Sequence, residues 1–87
     1  MTGTVQTQNV DWDAAYTLDT CGQACPQPLL AMRRALGELP AGTLLRVLAT
    51  DPGSWRDFHS YAELSRRPLL RAEQRGGVFS YWIKRDD

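Results

Sequence analysis

Cys21 and Cys25 are the residues of this chain whose types and spacing promise chemistry. We expect both thiols to be free, because the chain opens without a secretory signal and reducing compartments keep cysteines unpaired. A closed zinc site needs about four ligands, and His59 adds only one more. We therefore expect no metal and no cofactor, and we expect the chemistry to lie in the sulfur atoms themselves.

Cys25 opens the segment Cys25-Pro26-Gln27-Pro28, which leads into an amphipathic run. Pro26 suits the first helical position, so the cysteine is expected at or next to the N-cap of a helix. Unpaired backbone N–H groups and the helix dipole at that position favour a thiolate, and lower the thiol pKa from its usual value of about 8.5. Pro28 adds stiffness, and neither proline adds an acid or a base.

This arrangement favours a sulfur carrier over a cysteine hydrolase. A hydrolase needs a base that a third group orients, and no residue near Cys25 in the sequence fills that place. The single histidine, His59, falls on a different predicted helix at a surface or boundary position. A carrier needs only an exposed sulfur that accepts an atom and passes it on by exchange, while partner proteins supply the catalytic groups.

The elements that must position Cys25 follow the order β, α, β, α, β, β. The predicted strands cover residues 15–19, 43–49, 69–75 and 78–85, and the predicted helices cover residues 26–39 and 55–67. Gly76-Gly77 is the two-residue spacer of a hairpin between the last two strands. This order predicts an α+β fold, a two-layer sandwich in which both helices cover one face of a mixed four-stranded sheet. Residues 1–15 are expected to form a flexible tail, and residues 16–87 a single domain.

The second helix is expected to begin with a capping box formed by Ser54 and Asp57. Met32 and Leu36 are expected in the core, on the inner face of the first helix. The inner face of the second helix is expected to comprise Trp55, Phe58, Ala62, and Leu64 or Ser65.

The net charge of the chain argues against nonspecific electrostatic binding to nucleic acid or anionic lipid. Ten basic and ten acidic side chains give a net charge of zero, so direct binding of nucleic acid is not expected. Apolar runs stay far below the roughly 18 residues of a membrane span, and we expect a soluble, cytoplasmic protein without membrane contact. Bases nevertheless concentrate late in the chain, where residues 66–85 contain six bases and one acid. Such a stretch is either an ordinary solvated face or a docking patch.

The expected partner contacts lie on the first helix and the hairpin. Trp82 is the aromatic side chain expected on the hairpin face that turns away from its apolar side, open to water and able to bind. The charged candidates are Arg33, Arg71, Arg75, Lys84 and Arg85.

Seven motifs occur in a fixed order along the chain: Leu18-Asp19, Gly22, Cys25-Pro26-Gln27-Pro28, Arg33-Arg34, Gly42, Thr50-Asp51-Pro52 and Tyr81-Trp82-Ile83-Lys84-Arg85. Together they resemble the TusA-like (SirA-like) sulfur carrier family over about residues 16–85. The resemblance implies a βαβαββ fold similar to the C-terminal domain of a translation initiation factor. It also implies a persulfide on Cys25, with Pro26 and Pro28 as its scaffold. The implied donor is a cysteine desulfurase or a rhodanese-type enzyme. The implied acceptor proteins serve tRNA thiolation, molybdenum cofactor assembly or sulfur oxidation.

Cys21 stands where members of that family commonly carry a basic residue, and we treat it as a candidate secondary thiol. Two further functions stay open on the residues alone. In a redox switch, Cys21 and Cys25 would close a disulfide, provided that the loop brings their Cα atoms within about 7 Å. In an RNA-binding or protein-binding regulatory module, the basic hairpin would form the contact surface.

Overall fold

The computed structural model describes Trp12 and residues 16–85. Its elements are β1 (Tyr16–Asp19), α1 (Gln27–Glu38), β2 (Leu44–Ala49), α2 (Gly53–Ser65), β3 (Leu69–Arg75) and β4 (Val78–Lys84). The predicted order is confirmed, and the largest difference in an element boundary is two residues. The predicted flexible tail lies outside the described residues, apart from Trp12. Within the described ranges, no helix has the length and apolar character to cross a membrane.

The four strands form one mixed sheet in the order β1-β2-β4-β3. β1 and β2 run parallel, whereas β4 runs antiparallel to both β2 and β3. Because α1 and α2 each follow a strand of the parallel pair, both helices begin at the same end of the sheet. We call this the Cys25 end. Ala49 of β2 pairs with Phe79 there, while Leu44 pairs with Lys84 at the opposite, far end.

The hairpin turn also lies at the Cys25 end. Arg75 pairs with Val78 across Gly76 and Gly77. The two glycines have φ values of 60° and 82°, as a primed two-residue turn requires. The predicted hairpin is therefore confirmed in both its turn and its strand pairing.

The core lies between the two helices and one face of the sheet. Met32 and Leu36 of α1 are buried there, as expected. Alternate residues of the two central strands face the helices, as the two-residue period of a strand requires. The buried cluster comprises Met32, Leu36, Leu45, Val47, Ala49, Phe58, Phe79, Tyr81 and Ile83.

The inner face of α2 differs from the prediction. Ser54 and Phe58 are its buried residues, whereas Trp55 is 39% exposed and Leu64 is 84% exposed. The Oγ atom of Ser54 and the hydroxyl oxygen of Tyr81 lie 2.7 Å apart, within a buried hydrogen bond. This hydrogen bond satisfies the Ser54 hydroxyl in the interior. Ser54 is therefore buried on the inner face of α2, where the apolar pattern predicts Trp55.

The predicted capping box of α2 is also wrong. The helix begins at Gly53 with Pro52 at its N-cap, and no side chain of the N-cap closes it. Asp51 fills that role instead, because its Oδ2 accepts a hydrogen bond from the Gly53 N–H at 2.9 Å. Neither Ser54 nor Asp57 caps the helix. The Ser54 side chain points into the core, where it bonds to Tyr81, and the Asp57 side chain accepts a hydrogen bond from Cys25.

The C-terminal end of α1 is closed by Arg85, which follows β4. Its Nη1 donates hydrogen bonds to the carbonyl oxygens of Leu36, Gly37 and Leu39 at 2.9, 2.9 and 2.8 Å. Carbonyls in the last turn of a helix lack intrahelical partners, and a guanidinium satisfies several at once. Arg85 was expected to contact a partner, but its guanidinium binds the end of α1 instead.

The second face of the sheet is covered at its centre by the protein itself. Register places Arg46, Trp82 and Arg71 side by side on this face. Trp82 is 4% exposed, because the Trp12 ring packs edge-on with its centroid 5.8 Å away and the Arg71 guanidinium lies 5.0 Å from the Trp82 ring. The expected exposure of Trp82 is therefore wrong. Its indole N–H donates to the Trp12 carbonyl oxygen at 3.3 Å.

Candidate functional site

Cys25 lies one residue before the N-cap of α1, which confirms its expected place beside a helix start. The helix begins at Gln27 instead of Pro26, and Pro26 occupies the N-cap. Pro28 is buried in the first turn. A hydrogen bond of 2.8 Å from the Gln27 N–H to the Ala24 carbonyl oxygen closes the turn that presents the cysteine. Cys25 is half-buried, so its sulfur keeps some access to solvent.

The sulfur packs against the start of α2 as well as α1. A Cβ atom placed on Gly53 would lie 3.2 Å from Cys25 Cβ, 3.4 Å from Cys25 Sγ and 2.9 Å from Asp51 Oδ2. The Asp51 carboxylate would have to move, and Cys25 Cβ would have to give by a few tenths of an ångström, whereas 3.4 Å to Sγ is ordinary van der Waals contact. Gly53 therefore allows the close approach that makes the starts of both helices one site.

Asp57 completes this site from α2. Cys25 Sγ donates a hydrogen bond to Asp57 Oδ2. The Asp57 side chain is 18% exposed, and Arg56 Nε approaches its other oxygen only to 4.0 Å. Since the Arg56 side chain is 81% exposed, water screens this ion pair. The thiol is thus the closest described partner of the Asp57 carboxylate.

This carboxylate raises the pKa of the Cys25 thiol above its ordinary value. The largest cause is the hydrogen bond to Asp57, followed by burial of the thiol and the negative charges of Asp57 and Asp51, while Arg56 opposes them. The lowered pKa expected from the start of α1 is therefore wrong in direction. That expectation considered one helix, whereas the second contributes a carboxylate in direct contact. At neutral pH the resting cysteine is a thiol.

Cys21 occupies a different setting in the turn after β1. It is exposed, and its backbone N–H donates to Asp19 Oδ1 at 2.9 Å. The backbone hydrogen bond is the largest cause of the lowered pKa of Asp19. A side-chain hydrogen bond between the two residues lowers that pKa further and raises the pKa of Cys21. Both cysteines are free thiols, each beside its own carboxylate.

The expected partner contacts do not form one patch. Arg75 lies at the Cys25 end, whereas Lys84 lies at the far end, opposite Leu44. The seven-residue strands between them span about 20 Å. A single partner surface at Cys25 would therefore reach Arg75 more readily than Lys84.

Two other expected contacts have intramolecular partners. Arg71 Nη2 lies 2.9 Å from Glu73 Oε2, in addition to its position over Trp82. The guanidinium of Arg33, on the exposed side of α1, lies 5.8 Å from the ring centroid of Tyr61 in α2. Each cation thus lies within reach of an aromatic ring, since Arg71 is 5.0 Å from the Trp82 ring and Arg33 is 5.8 Å from the Tyr61 ring.

A shallow groove between α1 and α2 leads away from the site. Its volume is about 400 Å³, and Asp57 and Arg33 both line it. The remaining lining residues are Leu29, Ser60, Tyr61, Leu64 and Ser65. Among the described residues, no group of three or more His, Cys, Asp and Glu side chains is arranged to hold a metal ion.

Sequence reasoning missed Asp57 and Gly53 as parts of the site. The parallel pairing of β1 and β2 would have pointed to both residues, because the helices that follow two parallel neighbouring strands begin close together. An acid early in α2 then becomes a neighbour of a cysteine before α1.

Comparison with known proteins agrees with this fold and identifies its family. Residues 16–85 match the family model described as "Sulfurtransferase TusA". The sulfur carrier protein TusA of Allochromatium vinosum is 38% identical over 73 residues, which cover 84% of this chain and 96% of that protein. The sulfur carrier protein TusA of Pseudomonas syringae pv. syringae is 36% identical over 78 residues, which cover 90% of each chain.

Among solved structures, the crystal structure of a SirA-like protein from Desulfitobacterium hafniense superposes with a TM-score of 0.69. It is 30% identical and covers 83% of this chain and 99% of its own. The fold is thus that of the SirA-like proteins, small α+β domains with two helices on a mixed four-stranded sheet. The chain belongs to the TusA sulfur carrier family, which confirms the resemblance carried by its motifs.

Proposed function

We propose that the protein carries sulfur as a persulfide on Cys25 and relays it from a donor enzyme to an acceptor protein. The observation that carries this proposal is the half-exposed Cys25 thiol where the starts of α1 and α2 meet. Sulfur exchange needs an accessible sulfur atom, and the donor and acceptor supply the other reactive groups. Membership of the TusA family supports the same assignment.

In the loading step, Cys25 Sγ attacks the outer sulfur of a persulfide on the donor. A sulfur–sulfur bond forms at Cys25 as the bond in the donor breaks. The inner sulfur of the donor leaves with the bonding electron pair and takes up the proton that Cys25 loses. The step changes no net oxidation state and requires no cofactor.

Pro26 and Pro28 are the proposed scaffold of the carrier cysteine. Pro26 holds the N-cap position and Pro28 is buried in the first turn, so together they limit the conformations open to Cys25. Among the charged candidates, Arg33 and Arg75 are the proposed partner contacts nearer the sulfur, and Lys84 is a remote one.

The proposed donors are a cysteine desulfurase or a rhodanese-type enzyme. The proposed acceptor proteins serve tRNA thiolation, molybdenum cofactor assembly or sulfur oxidation, in the cytoplasm. Each of these routes ends in the same chemistry at Cys25, the transfer of its outer sulfur to another thiol or to an activated substrate.

Loading is tested by intact-mass measurement after incubation with a cysteine desulfurase and cysteine, or with a rhodanese and thiosulfate. We expect one added sulfur atom that a reductant removes. Cys25→Ser should gain none, while the matched Cys21→Ser variant should load like the wild type. Sulfur on Cys25→Ser but not on Cys21→Ser would assign the carrier role to Cys21. Absence of loading in the wild type from both donors would contradict the proposal.

A further inference from the structure

The contact between Cys25 and Asp57 is a product of tertiary structure. The two residues are 32 positions apart and belong to the starts of different helices. Gly53 leaves the space in which Cys25 packs against the start of α2, the helix that contains Asp57.

The contact affects the unloaded and loaded forms of Cys25 in opposite ways. In the unloaded form, the thiol proton forms a hydrogen bond with the carboxylate, which stabilises that form. In the loaded form, Sγ carries the outer sulfur and has no proton to donate. A persulfide is a stronger acid than a thiol, so the outer sulfur is anionic and is repelled by the neighbouring carboxylate.

The charges that face the sulfur are Asp57, Asp51 and Arg56. Asp51 adds a second negative charge from the turn before α2, although the Gly53 N–H already engages its Oδ2. Arg56 provides the opposing positive charge, but its side chain is largely in water. The net field at the sulfur therefore disfavours an anion.

We propose that Asp57 drives the release of sulfur from Cys25, because it stabilises the unloaded thiol and destabilises the loaded persulfide. The inference rests on the proposed carrier function. In release, the sulfur of an acceptor thiol bonds to the outer sulfur of the persulfide, and the bond between that outer sulfur and Sγ breaks. Sγ keeps the bonding electron pair and takes up the acceptor proton, so the acceptor leaves as a persulfide anion. The re-formed Cys25 thiol then donates to Asp57.

The test measures the equilibrium of sulfur between the protein and glutathione. Cys21→Ser protein, with and without Asp57→Asn, is mixed with glutathione and glutathione persulfide, and the loaded fraction is read by intact mass. We expect Asp57→Asn to shift the equilibrium constant towards loaded protein by roughly tenfold, the equivalent of one pKa unit. Asp51→Asn should shift it less in the same direction, and Glu63→Gln, on the exposed side of α2, should leave it unchanged.

A second readout separates this electrostatic role from a structural one. Unloaded Asp57→Asn should react faster with iodoacetamide at neutral pH, and the midpoint of its rate–pH profile should move to lower pH. If Asp57→Asn only loosened the structure around Cys25, the unloaded thiol and the loaded persulfide would both become more accessible. Faster alkylation of the thiol would then accompany faster loss of sulfur from the persulfide. The proposal requires the opposite pairing, a more reactive thiol and a more persistent persulfide.

Arg56→Gln provides a variant that does not disturb the contact itself. Removal of its positive charge should shift the glutathione equilibrium slightly towards the unloaded protein. An equilibrium that Asp57→Asn leaves unchanged, or moves towards the unloaded protein, would overturn the inference if the parent Cys21→Ser protein loads normally. If the parent protein does not load, the proposed function fails instead.

Discussion

The two cysteines of this protein each lie beside a carboxylate, but the carboxylates reach them by different routes. Asp19 lies two positions before Cys21, and the pair forms within one exposed turn. Asp57 reaches Cys25 from another helix and contacts it only when α1 and α2 pack together. The reactivity of Cys25 is thus coupled to the tertiary fold, whereas that of Cys21 depends on local structure alone.

The largest expected effect follows from weakening the fold at the end of α1 that lies away from Cys25. Arg85→Gln removes three hydrogen bonds between a charged group and the last carbonyls of α1, and we expect the free energy of unfolding to fall by about 2 kcal/mol. Urea titration followed by fluorescence measures the loss. Cys25 leaves Asp57 on unfolding, so rapid alkylation of Cys25 at neutral pH should begin at a lower urea concentration in this variant.

The control for this prediction is Arg75→Gln. Arg75 is exposed beside the hairpin turn, and a surface substitution of this kind changes stability by about 0.5 kcal/mol or less. An equal loss of stability in both variants would show that Arg85 does not act through α1.

Gly53→Ala is expected to disturb Cys25 and spare Cys21. The added methyl group would lie 2.9 Å from Asp51 Oδ2 and 3.2 Å from Cys25 Cβ, so the Asp51 carboxylate must move and Cys25 must give by a few tenths of an ångström. We expect sulfur loading to slow by about tenfold, since small displacements of a reacting atom are costly. Single-turnover loading from a cysteine desulfurase measures this effect.

Gly37→Ala is the matched control, because a Cβ at this position in α1 has no neighbour within 4 Å. It should load at the wild-type rate, and its free energy of unfolding should rise by about 0.5 to 1 kcal/mol, as alanine is the better helix former. Loading that slows equally in both variants would remove the close approach at Gly53 from the mechanism.

Asp19→Asn should alter Cys21 and leave Cys25 unchanged. Asp19 raises the pKa of Cys21, so its removal lowers that pKa and increases the thiolate fraction at any pH below it. Alkylation of Cys21 at neutral pH, measured in Cys25→Ser protein, should therefore speed up, by about two- to fourfold since an exposed carboxylate is screened by water. A slower reaction would mean that Asp19 assists the thiol as a base.

The smallest expected effect is that of Cys21→Ala on sulfur transfer. We expect normal loading and normal single-turnover transfer from Cys25 to an acceptor, because the two thiols contact different carboxylates. Reversible recovery from mild peroxide should be lost if Cys21 resets an oxidised Cys25. Normal loading with complete loss of transfer would instead reveal a relay through both thiols.

Local signals were sufficient to predict most of the fold from the sequence. The boundaries of β3 match the prediction, and Gly76-Gly77 forms the expected turn, because alternation and glycine spacing act within a few residues. The signal that predicts Cys25 beside the N-cap of α1 is also local, because it comes from the next residue, Pro26.

The sequence was less informative where distant segments meet. Ser54 and Asp57 have the spacing of a capping box, yet tertiary contacts with Tyr81 and Cys25 decide where they point. Trp82 is covered by Trp12, which lies 70 positions earlier, and no pattern within the hairpin reports that contact. The pKa of Cys25 was predicted with the wrong sign for the same reason, since Asp57 comes from the second helix.

The pairing of Arg85 with Thr43 at the far end of the sheet has a practical consequence for handling the protein. The Arg85 backbone N–H donates a hydrogen bond to the Thr43 carbonyl oxygen at 2.9 Å. This bond holds Arg85 at the end of the sheet opposite Cys25. The six residues of β2 separate the two ends by roughly 20 Å. A linker or surface anchor attached after Arg85 would leave the sulfur facing outwards, so that immobilised protein stays open to successive donors and acceptors supplied in flow.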